Sequence, residues 1–149
     1  MIQRKQTLFL LQLVLFSVAM LFVPHQIIYS KANPDYVCML PLVNYRSTTF
    51  HIVAIALNFL ALVITFVTIF LYKKRELQVK LCYVLIAIWL VVLALIIFCP
   101  FAQPAETIIE IKKNYFGYLC SAFAILATYL ATVFIKKDIE LLKSADRIR

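Results

Sequence analysis

Residues 85–98 read LIAIWLVVLALIIF, fourteen consecutive positions without a charge, a hydroxyl or an amide. The run widens on both sides, and no Asp, Glu, Lys or Arg occurs from Leu81 to Ala105, a window of 25 residues. Three more such windows follow from the same count: Gln6 to Ser30 (25 residues), Ser47 to Tyr72 (26) and Asn114 to Ile135 (22). A helix rises about 1.5 Å per residue, so roughly 20 apolar residues cross a hydrocarbon layer of about 30 Å. Each window is long enough. Only 51 of the 149 residues lie outside the four windows, too few to wrap four buried core helices in a polar shell.

The composition agrees. At 64% hydrophobic residues and 15% charged ones with a single Gly, the chain exceeds the roughly 45 to 50% apolar content of soluble domains. The reading is a single all-α membrane domain over 1–149, a four-transmembrane-helix bundle with spans at about 7–28, 50–72, 81–99 and 115–135 and a cytoplasmic tail at 136–149. Arg4 and Lys5 ahead of the first window, with Ser30 and Ala32 after it, also suit a cleaved signal peptide. The uncharged run exceeds the usual 7 to 15 residues of such a peptide's apolar region, and it is kept as a helix.

Orientation follows from Lys and Arg. Eleven of them lie in the N-terminal segment, the second loop and the tail; four lie in the first and third loops. The positive-inside rule therefore puts both termini in the cytoplasm, and with them the basic second loop. The net charge of +8 is accounted for by anionic headgroups, with no nucleic acid required. Aromatic residues flank the windows, with Tyr29, Tyr36, Tyr45, Phe50, Phe98, Phe101, Tyr115, Phe116 and Tyr118 towards the outside and Tyr72 and Tyr83 towards the inside.

Between the windows, KANPDY (31–36) carries Asn33, Pro34 and Asp35, a turn signal between apolar flanks that suits a short outer β-hairpin. ETIIEIKKN (106–114) alternates Ile109 and Ile111 with Glu110 and Lys112, the period of an edge strand. Eight residues, KKRELQVK (73–80), join the second and third helices into an antiparallel hairpin, and Glu76 with Lys80 at i, i+4 favours helix continuing into the loop. The third helix reads as lipid-facing filler. In the fourth, Gly117, Ser121, Ala124, Thr128 and Ala131 recur at spacings of four and three, a stripe of small residues along which helices in lipid approach closely.

Candidate chemistry is sparse. No Asp, Glu, Lys or Arg falls inside a span, and Gly and Pro are too few for the broken helices of ion-coupled carriers. Gln12, Asn58, Thr65, Thr68, Thr128 and Thr132 are the polar residues at depth and suit interhelical hydrogen bonds, with Gln12, Thr65 and Thr128 at similar heights. His25, His51, Cys38, Glu106 and Glu110 collect outside without the tight spacing of a metal motif, so no metal or other cofactor is expected. Cys38, Cys99 and Cys120 lie towards the outside, where one bridge such as Cys38 to Cys99 is open alongside free thiols. GxSxG, HExxH, a phosphate-binding Gly loop and a paired-carboxylate site are all missing, and the expectation is a non-enzyme.

The tail KKDIELLKSADRIR (136–149) places Ile139, Leu142, Ala145 and Ile148 on one stripe, with Lys136, Glu140 and Lys143 at helical pairing distances. It suits an amphipathic extension of the fourth helix. Its carboxylates Asp138, Glu140 and Asp146 are available to pair with Lys73, Lys74, Arg75 and Lys80 or to meet another protein. Together with MIQRKQTLFLL (1–11) and LYKKRELQVKLC (71–82), this tail resembles the signatures of a family of small four-span inner-membrane proteins from Bacteroidota, a domain of unknown function. The resemblance runs the length of the chain and implies an inner-membrane location and four helices, with no activity or ligand to carry over. All three motifs fall on the cytoplasmic side. The functional expectation is thus an accessory or scaffolding component whose contact face includes Lys73, Lys74, Arg75, Lys80, Asp138, Glu140, Asp146 and Arg147. Its surroundings are membrane lipids, and its partner is a cytoplasmic-side protein. The alternative expectation is a binder of a lipid or small hydrophobic ligand at the outer side.

Overall fold

The computed structural model describes residues 3–22, 26–30, 34–37, 49–72, 74–98, 108–113 and 115–146. Their order is α1 (Gln3–Phe22), β1 (Gln26–Ser30), β2 (Pro34–Val37), α2 (Thr49–Phe70), α3 (Arg75–Phe98), β3 (Ile108–Lys113) and α4 (Tyr115–Asp146). The helices form a ring in which α1 packs on α2 and α4, and α3 packs on α2 and α4. The α1–α4 and α3–α4 interfaces are the most extensive and α1–α2 the slightest. Alternating chain direction makes every adjacent pair antiparallel.

Each helix turns one seam of buried positions inward at alternating spacings of four and three. On α1 these are Gln6, Leu10, Leu13, Ser17 and Met20; on α2, Ala54, Asn58, Ala61, Thr65 and Thr68. On α3 they are Gln78, Cys82, Leu85, Trp89, Val92 and Ile96. On α4 the seam runs Gly117, Ser121, Ala124, Thr128, Ala131, Ile135 and Asp138. This is the spacing of knobs-into-holes packing, in which a seven-residue repeat keeps one edge of the helix on its neighbours. The third helix is therefore no filler. Its outer face is indeed featureless, but Trp89 and five seam partners supply much of the core.

The remaining faces are apolar and exposed: Leu8, Leu11 and Leu15 on α1, Val63 and Phe66 on α2, Leu90 and Val91 on α3, Phe123 and Leu126 on α4. Water does not tolerate such a coat around a whole bundle, and lipid does. Three stretches are long and apolar enough to cross a membrane, Ile52–Phe70, Arg75–Phe98 and Gly117–Ser144, and α1 adds a shorter one, Gln6–Phe22.

The first helix ends earlier than its expected span, while α3 and α4 reach beyond theirs, in line with helix continuing into the second loop and an amphipathic extension of the fourth helix. The first helix stops at Phe22, not near residue 28, because Gln26–Ser30 pairs as β1. Pro24 in the intervening sequence has no N–H to donate and disfavours helix before it, while Ile27, Ile28 and Tyr29 suit a strand. α3 begins at Arg75, six residues early, with Gln78 N donating to Lys74 O at 3.1 Å. α4 continues unbroken through the expected tail to Asp146; its 32 residues span about 48 Å, well beyond one hydrocarbon thickness.

The expected hairpin exists as β1 and β2, antiparallel, with β3 on the other side of β1. Pro34 and Asp35, expected in the turn, are the opening of β2 and stand opposite Tyr29 and Ile28. The first residue of an edge strand is one of the few strand positions where a missing N–H is harmless. A bulge between Tyr29 and Ser30 brings Ser30 opposite Ile108.

Truncating Trp89, which is fully buried, to Ala removes the largest side chain of the core. The expected loss is on the order of 3 kcal/mol. Leu90→Ala, one residue on and facing outward, should stay within about 0.5 kcal/mol of the parent. Equilibrium unfolding in detergent micelles measures both.

Candidate functional site

The polar groups of the bundle gather at its seams, and among the described residues each of the four interfaces carries a side-chain bond to a main-chain carbonyl. Across α1 and α4, Gln6 Nε2 donates to Phe134 O at 3.3 Å. Between α1 and α2, Asn58 Nδ2 donates to Ser17 O at 3.2 Å. Linking α2 to α3, Gln78 Nε2 donates to Thr68 O at 2.7 Å. From α3 to α4, Arg75 Nη1 donates to Asp138 O at 3.4 Å. A helical carbonyl keeps a second lone pair after accepting its own i+4 bond, so the donors to Phe134, Ser17 and Asp138 take nothing from the helix they reach, while Thr68 O lies in the last turn of α2.

The buried hydroxyls behave differently. Thr65, Thr68, Ser121, Thr128 and Thr132 each donate to the carbonyl four residues earlier in their own helix, at 2.7 to 3.4 Å. The expected sharing of hydrogen bonds among Gln12, Thr65 and Thr128 is therefore not how the helices are joined. Gln12 lies on the exposed face of α1, and Gln6, six residues earlier and on the seam, makes the cross-helix bond. Asn58, Gly117, Ser121, Ala124 and Thr128 are buried on the seams of α2 and α4. Ser121 in addition approaches Met20 Sδ at 3.8 Å, and stacked ring pairs, Phe9 on Phe134 and Phe16 on Phe123, line the same α1–α4 interface.

At the basic end of the bundle the candidate contact residues separate into two groups. Arg75 and Asp138 turn inward. Arg75 Nη1 lies 3.1 Å from Asp138 Oδ2, with the side chains 19% and 9% exposed. That carboxylate oxygen accepts no aligned hydrogen bond among the described residues, because the guanidinium hydrogen is directed at the main-chain oxygen of the same residue. Asp138 is the seventh member of the α4 seam. It holds α3 to α4 and is removed from the set of partner-facing carboxylates.

Lys74, Lys80 and Glu140 are exposed, as are Leu141, Leu142 and Lys143. Lys136 sits over the ring of Tyr83 with Nζ 5.3 Å from its centroid, a cation on an aromatic face at the α3–α4 edge. Asp146 closes α4, while Lys73 and Arg147 lie outside the described residues. At the other end, Cys120 is a buried free thiol, as is Cys82 here; Cys38, Cys99, His25 and Glu106 fall outside the described residues. Gln6, Gln78 and the inward role of Asp138 went unread in the sequence. Continuing the four-three count of α4 past Ala131 to Ile135 and Asp138 finds the last of them.

With this geometry in place, the chain can be assigned: it belongs to the family described as a domain of unknown function, DUF4293, which matches residues 2–148. No curated protein and no solved structure matches it.

Asp138→Asn and Arg75→Gln each strand a half-buried partner and should cost on the order of 1 to 2 kcal/mol. The double variant is expected to lose less than the sum of the two. A double-mutant cycle by unfolding in detergent reads the coupling, and additive losses would show that the pair contributes nothing as a pair.

Proposed function

We propose that this family member is a four-span protein of the bacterial inner (cytoplasmic) membrane with both termini in the cytoplasm, acting without chemistry of its own as an accessory or scaffolding component. Its contact face is the exposed part of the basic end. α1 supports the fourth span: its 20 residues extend about 30 Å and present Leu8, Leu11, Leu15, Val18 and Phe22 outward. The aromatic belts fit the same placement, with Tyr72 and Tyr83 exposed at the basic end and Phe98 and Tyr115 at the opposite end.

The observation that carries the contact face is the length of α4. Its seam ends at Asp138, yet the helix runs on for two more turns whose residues 140–144 are all exposed. Leu141 and Leu142, each about half exposed, stand there among Glu140 and Lys143. A helical overhang of mixed charge with two adjacent leucines suits another helix better than it suits bulk water or a uniformly anionic lipid surface. Lys74 and Lys80, exposed on the neighbouring hairpin, enlarge the surface on one side.

Two outcomes follow. A protease site placed after Arg149 should be cut in inverted vesicles and protected in sealed spheroplasts; the reverse pattern overturns the orientation. Cutting the chain short after Ile139, which spares Asp138, or replacing Leu141 and Leu142 with Glu, should lower recovery of a crosslinked partner by about tenfold or more while the unfolding midpoint is retained. Unchanged recovery from the shortened chain would remove the contact-face reading.

A further inference from the structure

The slightest interface of the ring, α1–α2, opens near the basic end into a cavity of about 140 Å³. Gln6, Thr7 and Leu10 of α1 line it, with Ile69 and Tyr72 from the end of α2 and Gln78 from the start of α3. Gln6, Leu10 and Gln78 are buried, while Thr7 and Tyr72 are exposed, so the space has a closed inner wall and an outward mouth between two helices. Its size is that of a cavity of roughly 150 Å³ that takes up one benzene, so a small group fits and an acyl chain does not.

The chemistry of the wall is one-sided. Gln78 is 3% exposed, and its Nε2 is committed to Thr68 O. Its Oε1 is buried and accepts no hydrogen bond among the described residues. The Nε2 of Gln6 is likewise committed, to Phe134 O. Each carboxamide keeps a second N–H, but the buried wall atom without a partner among the described residues is Gln78 Oε1, an acceptor, which asks for an N–H or O–H donor. Around the mouth the charge is the opposite of what a free cation would seek. Lys74 lies one turn before Gln78, on the same side of α3, and is exposed, so an anion is favoured beside the mouth.

A donor on a short arm, carried by an anion and delivered at the edge of a bilayer, describes one class of molecule. We infer that the cavity seats the terminal ammonium or hydroxyl of a glycerophospholipid headgroup, ethanolamine or glycerol, with the phosphodiester at Lys74. Choline carries the same phosphodiester and a similar bulk but no hydrogen to donate, and the site rejects it. The seat is independent of any protein contact made by the α4 overhang.

The test uses the full chain, stripped of lipid in detergent and returned to nanodiscs containing equal amounts of ethanolamine, glycerol and choline lipids with identical acyl chains, then released for native mass spectrometry. Ethanolamine and glycerol lipids should be retained at least about fivefold over choline lipid. Gln78→Leu should abolish that preference. Because Gln78 also ties α2 to α3, Thr7→Trp at the mouth provides a second variant that leaves this tie in place, and it too should abolish the preference at an unchanged unfolding midpoint. Equal retention of all three lipids, or a preference that survives Thr7→Trp, overturns the site, and water is then its occupant. Water-soluble glycerophosphoethanolamine binding as tightly as the diacyl lipid would overturn the assignment to a membrane lipid.

Discussion

In hydrocarbon, helices gain nothing by hiding leucine from water, so an association of helices must come from close packing and from polar groups that find no better partner. This bundle uses one polar device four times: a side-chain donor on one helix reaches a main-chain carbonyl on the next. Carbonyl acceptors have fixed positions along a helix, and a carboxamide on a short stem has little reach. Each bond therefore sets the height of one helix against its neighbour. The apolar seam alone would tolerate a slip of one heptad, since the same kind of residue returns seven positions later; Asn58 and the two glutamines do not recur at that interval.

The seams divide the packing unequally. α2 and α4, across the ring from one another, contribute chiefly small residues, with Ala54, Ala61, Gly117, Ala124 and Ala131. α1 and α3, the other diagonal, contribute Leu10, Leu13, Met20, Leu85, Trp89 and Ile96, among the largest fully buried side chains. Large residues from one diagonal then occupy the room left by small ones on the other, which is how interior density is reached without strained rotamers. It also explains the prominence of α4, whose small seam lets both bulky helices come close.

Much of this was legible. Long uncharged windows fixed four helices, and the small-residue stripe on α4 located a packing face, because both signals are compositional and local. The strand-forming alternation of 108–113 was visible for the same reason. What escaped were judgements of which face turns inward. Gln12 and Gln6 are the same residue type on the same helix, and only the full seam, read through Leu10, Leu13 and Ser17, shows that Gln6 belongs to it and Gln12 does not. Asp138 looked like a surface charge because most carboxylates beyond a span are. Its burial depends on Arg75 arriving from another helix, a fact held in tertiary structure and not in the tail. Gln78, in turn, falls where helix was expected to continue into the loop, but the charged residues around it hide that it faces the core.

The paired numbers along α1 and α4 reveal how the two ends of the bundle differ. Gln6 meets Phe134, Phe16 meets Phe123, Met20 meets Ser121, and beyond the helices Gln26 stands opposite Lys113 and Ile28 opposite Ile111. The two numbers of each pair add to close to 140 throughout, so a single antiparallel contact continues from helix pair into strand pair. That ladder ties α1 to α4 at the strand end. At the basic end α3 is tied to α2 by Gln78 and to α4 by Arg75, and α1 to α4 by Gln6. The remaining side of the ring, α1 against α2, has its cross-helix bond at Asn58 and Ser17, several turns away. Three corners of the basic end thus carry a side-chain bond to a main-chain carbonyl, and the cavity lies in the fourth, where α1 and α2 make the slightest interface of the ring.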